Sequence, residues 1–236
     1  YSWSTDNGHL IAAEDRVDVF RRLDDYCPRD LKAECSRIFF EYLRALSAAA
    51  KAGGSPLDAK QRQQAGARLM SLFASQESAR ANVENLIYAP TDVVGLLSDP
   101  GSPQRAQLVM GWRSALDSLA GGGEDFALSG PERINIYRSR VALQRLSEPE
   151  AALPPALLEE ARQTVARVTT AAPEGYARHA AVNAAGNLYF EAGLDDEANA
   201  LLTAEIEKSK SPYYFMIELA DLAKKAGRET DALAWL

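Results

Sequence analysis

Two cysteines and two histidines are the residues of this sequence with the readiest chemistry, and their spacing limits what they can do. Cys27 and Cys35 stand eight positions apart. On an unbroken helix that is about 12 Å of rise, too far for a disulfide. Pro28 breaks a helix at that point, and a chain that turns back there returns Cys27 to Cys35. The two are therefore either a structural disulfide, the form favoured in an oxidising compartment, or two free thiols, with Cys35 a small hydrophobe on its helix. The sequence has no Cys-x-x-Cys and nothing local to depress a thiol pKa except a helix start near Pro28, so a catalytic dithiol is not indicated. His9 and His179 belong to no His-Glu-x-x-His or other zinc spacing. His179 reads as a partly exposed polar residue heading a helix.

The remaining candidates are bland. Asp24–Asp25, Glu159–Glu160 and Asp195–Asp196 read as solvated helix faces, or as first-turn acids favoured by the helix dipole. There is no Gly-x-Ser-x-Gly elbow and no phosphate-binding Gly-x-x-x-x-Gly-Lys. Gly121–Gly122–Gly123 runs into Glu124 and Asp125, whose charges would repel phosphate, so it reads as a connector. No residue set calls for a catalytic role, a metal or a cofactor.

Composition agrees with a folded helical protein. Of 236 residues 47% are hydrophobic and 25% charged, enough for a core and a solvated surface. The net charge of −7 and the absence of a basic stripe argue against a nucleic-acid partner. No apolar run is long enough to span a membrane, and no signal peptide is visible. The chain begins at Tyr1 rather than Met, so an upstream segment is expected, as in a processed precursor or a domain cut from a longer protein.

Helical periodicity runs from end to end. Leu31, Cys35, Ile38, Phe39, Tyr42, Leu43 and Leu46 form one apolar stripe. Leu108, Val109, Trp112, Leu116 and Leu119 form a second, and Leu157, Leu158, Ala161, Val165 and Val168 a third. Proline and glycine punctuation separates the stripes, with Ser55 before Pro56, Thr91 and Ser129 as candidate N-caps. About a dozen helices with short connectors result, and no sheet. The expected class is all-α, an α–α superhelix or solenoid of antiparallel helix pairs. Residues 1–150 are expected to form an irregular helical array, and residues 151–236 helical repeats.

The repeats are visible as self-similarity. Gly193 and Gly227 are 34 positions apart, as are Ala198 and Ala232, Gly186 and Ala220, and Leu202 and Leu236. That is the period of the tetratricopeptide repeat, and the residues fit its needs. Small Gly186 and Ala220 allow two helices of a pair to approach, with Tyr189 as the large residue one turn on. Gly193 and Gly227 end the first helix of each pair, and Ala198 and Ala232 keep the second helix close. Helices are predicted at about 175–192, 195–208 and 212–226. Met216 takes the large packing position of the last pair's first helix. The groove-facing positions are Asn183, Asn187 and Phe190 on one helix and Tyr214, Ile217, Asp221, Lys224 and Lys225 on the next. Packing between helix pairs is the alternative use for Phe190 and Tyr214.

Several segments resemble the C-terminal helical region of proteobacterial periplasmic thioredoxin-family proteins. They are Tyr1–Ser2–Trp3–Ser4, Leu153–Pro154–Pro155–Ala156–Leu157–Leu158, Ala192–Gly193–Leu194, Ala200–Leu201–Leu202 and Ser211–Pro212–Tyr213–Tyr214–Phe215–Met216. The resemblance implies a periplasmic location and a thioredoxin-like domain with its Cys-x-x-Cys upstream of Tyr1. It carries no catalytic residue onto this chain. The expected function is a non-catalytic interaction or scaffold region for a protein or peptide partner. The alternative is an enzyme on an all-helical superhelix, for example a glycan-cleaving one, with a single carboxylate in a cleft. The short last helix, from about Thr230, lacks a polar capping helix. The chain is therefore expected to continue past Leu236, or to meet another chain through Leu233, Trp235 and Leu236.

Overall fold

The computed structural model describes residues 13–27, 33–53, 57–74, 76–121 and 128–235. Among them every regular element is a helix. The chain divides into two compact units, Tyr1–Phe126 and Ala127–Leu236.

The first unit contains α1 (Ala13–Asp25), α2 (Ala33–Lys51), α3 (Ala59–Phe73), α4 (Gln76–Ala81), α5 (Val83–Tyr88), α6 (Pro90–Leu97) and α7 (Pro103–Gly121). Two long helices carry its core. On α2 the predicted stripe is buried at Cys35, Ile38, Phe39, Leu43 and Leu46, while Tyr42 is half-buried. On α7 all five predicted positions, Leu108, Val109, Trp112, Leu116 and Leu119, are buried. Leu31, His9 and the Tyr1–Ser4 segment lie outside the described residues, as does the Ser55–Pro56 pair. Asp58 caps α3 in its stead: its carboxylate accepts the Gln61 amide at 2.7 Å, and the Gln61 side chain accepts the Asp58 amide at 2.9 Å. This is a capping box, which satisfies two helix-end donors at once. Thr91 is not a cap either, because Pro90 already opens α6 and leaves Thr91 inside its first turn.

Cys27 and Cys35 are disulfide-bonded, with Cα atoms 5.5 Å apart. Of the two forms the spacing left open, the structure has the disulfide. It staples the end of α1 to the start of α2, two helices that also pack side by side. Closing so short a loop removes chain entropy worth roughly 2–3 kcal/mol from the unfolded state.

The second unit contains α8 (Gly130–Ser147), α9 (Pro155–Ala171), α10 (Tyr176–Ala192), α11 (Asp195–Lys208), α12 (Tyr213–Lys225) and α13 (Glu229–Ala234). The three helices predicted at 175–192, 195–208 and 212–226 are here within one residue at each end. Ser129 caps α8 as expected, sharing a capping box with Glu132. Gly193 (φ 77°) and Gly227 (φ 72°) both adopt the left-handed conformation. Each lies in the same pair of backbone hydrogen bonds: Gly193 N–H to Phe190 and Leu194 N–H to Tyr189, then Gly227 N–H to Lys224 and Arg228 N–H to Ala223. These are two copies of one helix-terminating motif, 34 residues apart. A side chain with a Cβ would be strained at either.

The helices form three hairpins, α8/α9, α10/α11 and α12/α13. Arg178 at the start of α10 meets Glu205 at the end of α11, so that hairpin is antiparallel. Asn183 and Asn187 of α10 meet Glu218 and Lys225 of α12 in ascending order, so those two helices run in parallel. One core serves the hairpins, with Ile134 and Val141 of α8, Val165 of α9, Val182 and Leu188 of α10, Leu202 of α11 and Phe215 and Leu219 of α12 buried together. The boundary expected at residue 150 therefore falls earlier. Helix α8 belongs with the C-terminal unit, because its apolar face is buried against α10.

Two further expectations need correction. Phe215, not Met216, fills the packing position at the start of α12; Met216 is half-buried. Leu233 is exposed as expected, but Trp235 is half-buried against Ala220, Ala223 and Ala232. It closes the last hairpin instead of extending an outward apolar patch. Leu236 lies outside the described residues.

Gly186 shows how close the α10/α11 hairpin is. A Cβ built on it would stand 3.2 Å from Leu202 Cδ1. Replacing Gly186 by Leu is expected to overpack this crossing and cost about 1–3 kcal/mol. Replacing it by Ala is expected to be close to neutral, since the small clash is offset by about 1 kcal/mol of helix propensity. Thermal melts of both variants check this, and a Leu variant as stable as the parent would show that the crossing is loose.

Candidate functional site

Of the groove positions predicted from the repeat on α10 and α12, three are drawn together: Asn183, Asn187 and Lys225. A hydrogen-bonded ladder joins the two helices. Glu218, buried on α12, accepts from the side-chain amides of Asn183 and Asn187, the latter at 2.6 Å. Asn187, also buried, accepts from the Lys225 ammonium at 3.0 Å. A buried carboxylate is costly unless its lone pairs are filled, and both Glu218 oxygens are filled. Asn183, Asn187 and Lys225 are thus committed to holding α12 against α10. Phe190 packs half-buried against the core. Tyr214, Ile217, Asp221 and Lys224 are exposed and present a mixed apolar and charged face. Sequence reasoning missed Glu218, whose charge marks it as a surface residue on composition alone.

A second feature lies at the other end of the same helices. The connector before α10, the connector between α11 and α12 and the adjoining helix ends line a half-open cavity of about 700 Å³. Its inner wall is built on a buried ion pair. Arg178 donates through Nε and Nη2 to the two oxygens of Glu205 at 2.9 and 2.5 Å, and through Nη1 to the Thr169 carbonyl. Glu205 is almost fully buried and Arg178 about a quarter exposed. The hydrogen bonds that Arg178 donates to Glu205 hold its guanidinium above its ordinary pKa, against the opposing effect of burial. Arg178 thereby ties the end of α9 and the start of α10 to the end of α11.

Aromatic rings form the adjoining wall. His179 lies 4.7 Å from the Tyr214 ring and 5.5 Å, edge-on, from Phe215. The Tyr213 ring lies against that of Tyr214 with centroids 4.0 Å apart and planes tilted by 34°, and hydrogen bonding to Tyr214 raises the Tyr213 phenol pKa. Three consecutive residues at the start of α12 thus divide their work. Phe215 faces the core, while Tyr213 and Tyr214 face out, as helical geometry requires. Tyr176, almost fully exposed, stands at the mouth with Lys208 and Lys210. Neither lysine takes part in an ion pair among the described residues. Of the predicted site residues only Tyr214 lines this cavity. His179, read as a bland polar residue, is half-buried in the aromatic wall.

Glu159–Glu160 and Asp195–Asp196 are placed as expected of helix surfaces and first turns, but Asp24 is not a solvated surface acid: it is mostly buried and accepts from both Nη1 and Nη2 of Arg68 on α3. Asp195 and Asp196 open α11, and Glu160 pairs with Arg140. Among the described residues no group of three or more His, Cys, Asp or Glu is arranged to hold a metal ion, and no helix is long and apolar enough to cross a membrane. No family model, curated protein or solved structure matches this chain.

Proposed function

We propose that the C-terminal unit is a tetratricopeptide-like module that binds a peptide or protein partner. The observation that carries this reading is the pair of like glycine caps at Gly193 and Gly227, set 34 residues apart in hairpins whose first helices run side by side. Stacked hairpins of this kind present one face of their first helices as a continuous binding surface. Here that face offers Tyr214, Ile217, Asp221 and Lys224, held in place by the Glu218 ladder. The Cys27–Cys35 disulfide supports an oxidising compartment, in keeping with the resemblance to exported periplasmic thioredoxin-family proteins. In that reading the chain is the interaction region of a longer protein whose redox domain precedes it. The glycan-cleaving alternative asks for a free carboxylate in a cleft. Glu205, the buried carboxylate of the cavity, gives both oxygens to Arg178.

A display selection of random peptides against the whole chain, followed by amide chemical-shift mapping, tests the proposal. Enriched peptides are expected to shift residues of α10 and α12. A selection that enriches nothing, or shifts confined to α1–α7, would overturn it.

A further inference from the structure

The cavity at the start of α10 has the features of a recognition pocket that the repeat surface does not explain. Its volume of about 700 Å³ sits within the range of roughly 300–1,000 Å³ typical of ligand sites. Its apolar side is the ring set of His179, Tyr214 and Phe215. Its charged side splits in two. Arg178 and Glu205 neutralise each other at the wall, whereas Lys208 and Lys210 reach the mouth without an ion-pair partner among the described residues. Glu174 also lies at the mouth, on the side where it acts on Arg178. Two ammonium groups with no ion-pair partner among the described residues, beside an aromatic wall, suit a ligand that joins carboxylates to a planar or bulky apolar group. A chain with a net charge of −7 repels long polyanions. The field that a short ligand meets is the local one, because charges beyond about 8 Å are screened at physiological salt.

We propose that this cavity binds an acidic peptide segment, seating one aromatic side chain against His179 and Tyr214 and pairing its flanking carboxylates with Lys208 and Lys210. The proposal rests on the peptide-binding reading above and names the sequence class that the unit selects. Lys208 ends α11 and Lys210 lies in the connector to α12, so the rim charges and the ring wall are fixed relative to one another by the α10/α11/α12 packing.

The probe is a fluorescein-labelled, end-blocked peptide Gly-Ser-Asp-Glu-Phe-Asp-Gly-Ser, read by anisotropy and by amide shifts on the whole chain. Two control peptides replace the acids by their amides or the Phe by Ser. The acidic aromatic peptide is expected to bind at least about tenfold more tightly than either control, with the preference shrinking at high salt. Shifts should centre on Tyr176, His179 and Tyr214. The double variant Lys208→Glu/Lys210→Glu changes only exposed positions; with its fold checked by circular dichroism, it is expected to lose at least about tenfold in affinity. Tyr214→Ala is expected to lose the preference for Phe over Ser. Equal binding of the amide control, or unchanged affinity after charge reversal, would overturn the proposal. Shifts confined to Ile217, Asp221 and Lys224 would also overturn it while leaving the peptide-binding reading in place. Failure of all three peptides would refute the acidic-aromatic preference, and the random selection would then decide the broader reading independently.

Discussion

Replacing Trp112 by Ala is expected to destabilise the first unit by about 3–5 kcal/mol, the range for deleting a large ring from a packed core. Trp112 has no exposed surface. Its ring meets Phe40 of α2 edge-on at 6.1 Å and Phe73 of α3 at 5.1 Å. Its indole N–H donates to the Leu86 carbonyl at 2.8 Å. One α7 side chain thus joins α2, α3 and α5. Residues 76–97 fold into three helices of six to eight residues, too short to be stable alone in water, so tertiary contacts of this kind must hold them. Trp112→Phe should keep most of the ring packing and lose the hydrogen bond, a cost of about 1–2 kcal/mol. Scanning calorimetry resolves the two variants. At about 4 °C per kcal/mol for a unit of this size, the Ala variant should melt more than about 10 °C below the parent. An Ala variant melting within about 2 °C of the parent would show that α7 is not the centre of this core.

Trp112 was legible as a core residue because α7 is long enough for its period to show. The same holds for α2 and for α10 to α12, whose boundaries follow from Gly193, Gly227 and Pro212. Legibility fails where the signal is short or non-local. Helices α4 to α6 span too few turns for a stripe. Helix α8 ends at Ser147 with Glu148, not a glycine, at its C-cap, and the connector 148–154 follows. The 34-residue register is therefore lost at the place where the third hairpin joins the unit. The buried carboxylates Glu205 and Glu218 escaped because burial of a charge depends on its partners. Arg178 lies 27 positions from Glu205, and Asn187 lies 31 from Glu218. Neither partner is distinguishable in the sequence from an ordinary helix-surface residue. The cavity is built from two connectors brought together only by the packing of α10, α11 and α12, so no local motif announces it. The disulfide is intermediate: the spacing and Pro28 allowed it, and the contact between α1 and α2 realises it.

Replacing Glu205 by Ala is expected to cost the second unit roughly 2–4 kcal/mol. Breaking a buried ion pair by removing one partner typically costs about 3–5 kcal/mol, because the remaining charge is left uncompensated. The lower figure reflects Arg178, which keeps about a quarter of its side chain in water and can turn toward it. Two terms oppose each other in any substitution here. The Coulomb attraction and two hydrogen bonds favour the pair, while desolvation of both groups disfavours it. A pair of apolar residues escapes the second term altogether, so the double variant Arg178→Met/Glu205→Leu should be more stable than Glu205→Ala and close to the parent. The four corners of that double-mutant cycle, followed by urea unfolding, separate the interaction energy from the cost of each truncation. They also separate structure from recognition. If Arg178 and Glu205 serve only to lock α9, α10 and α11 together, the apolar double variant keeps the lysine-dependent affinity for the acidic peptide as well as the stability. If the folded double variant loses that affinity, the guanidinium contributes to the ligand directly, and the cavity's anion site extends inward from its rim. A Glu205→Ala variant as stable as the parent would mean that Arg178 is solvated in solution and that the ion pair does not form the cavity's inner wall.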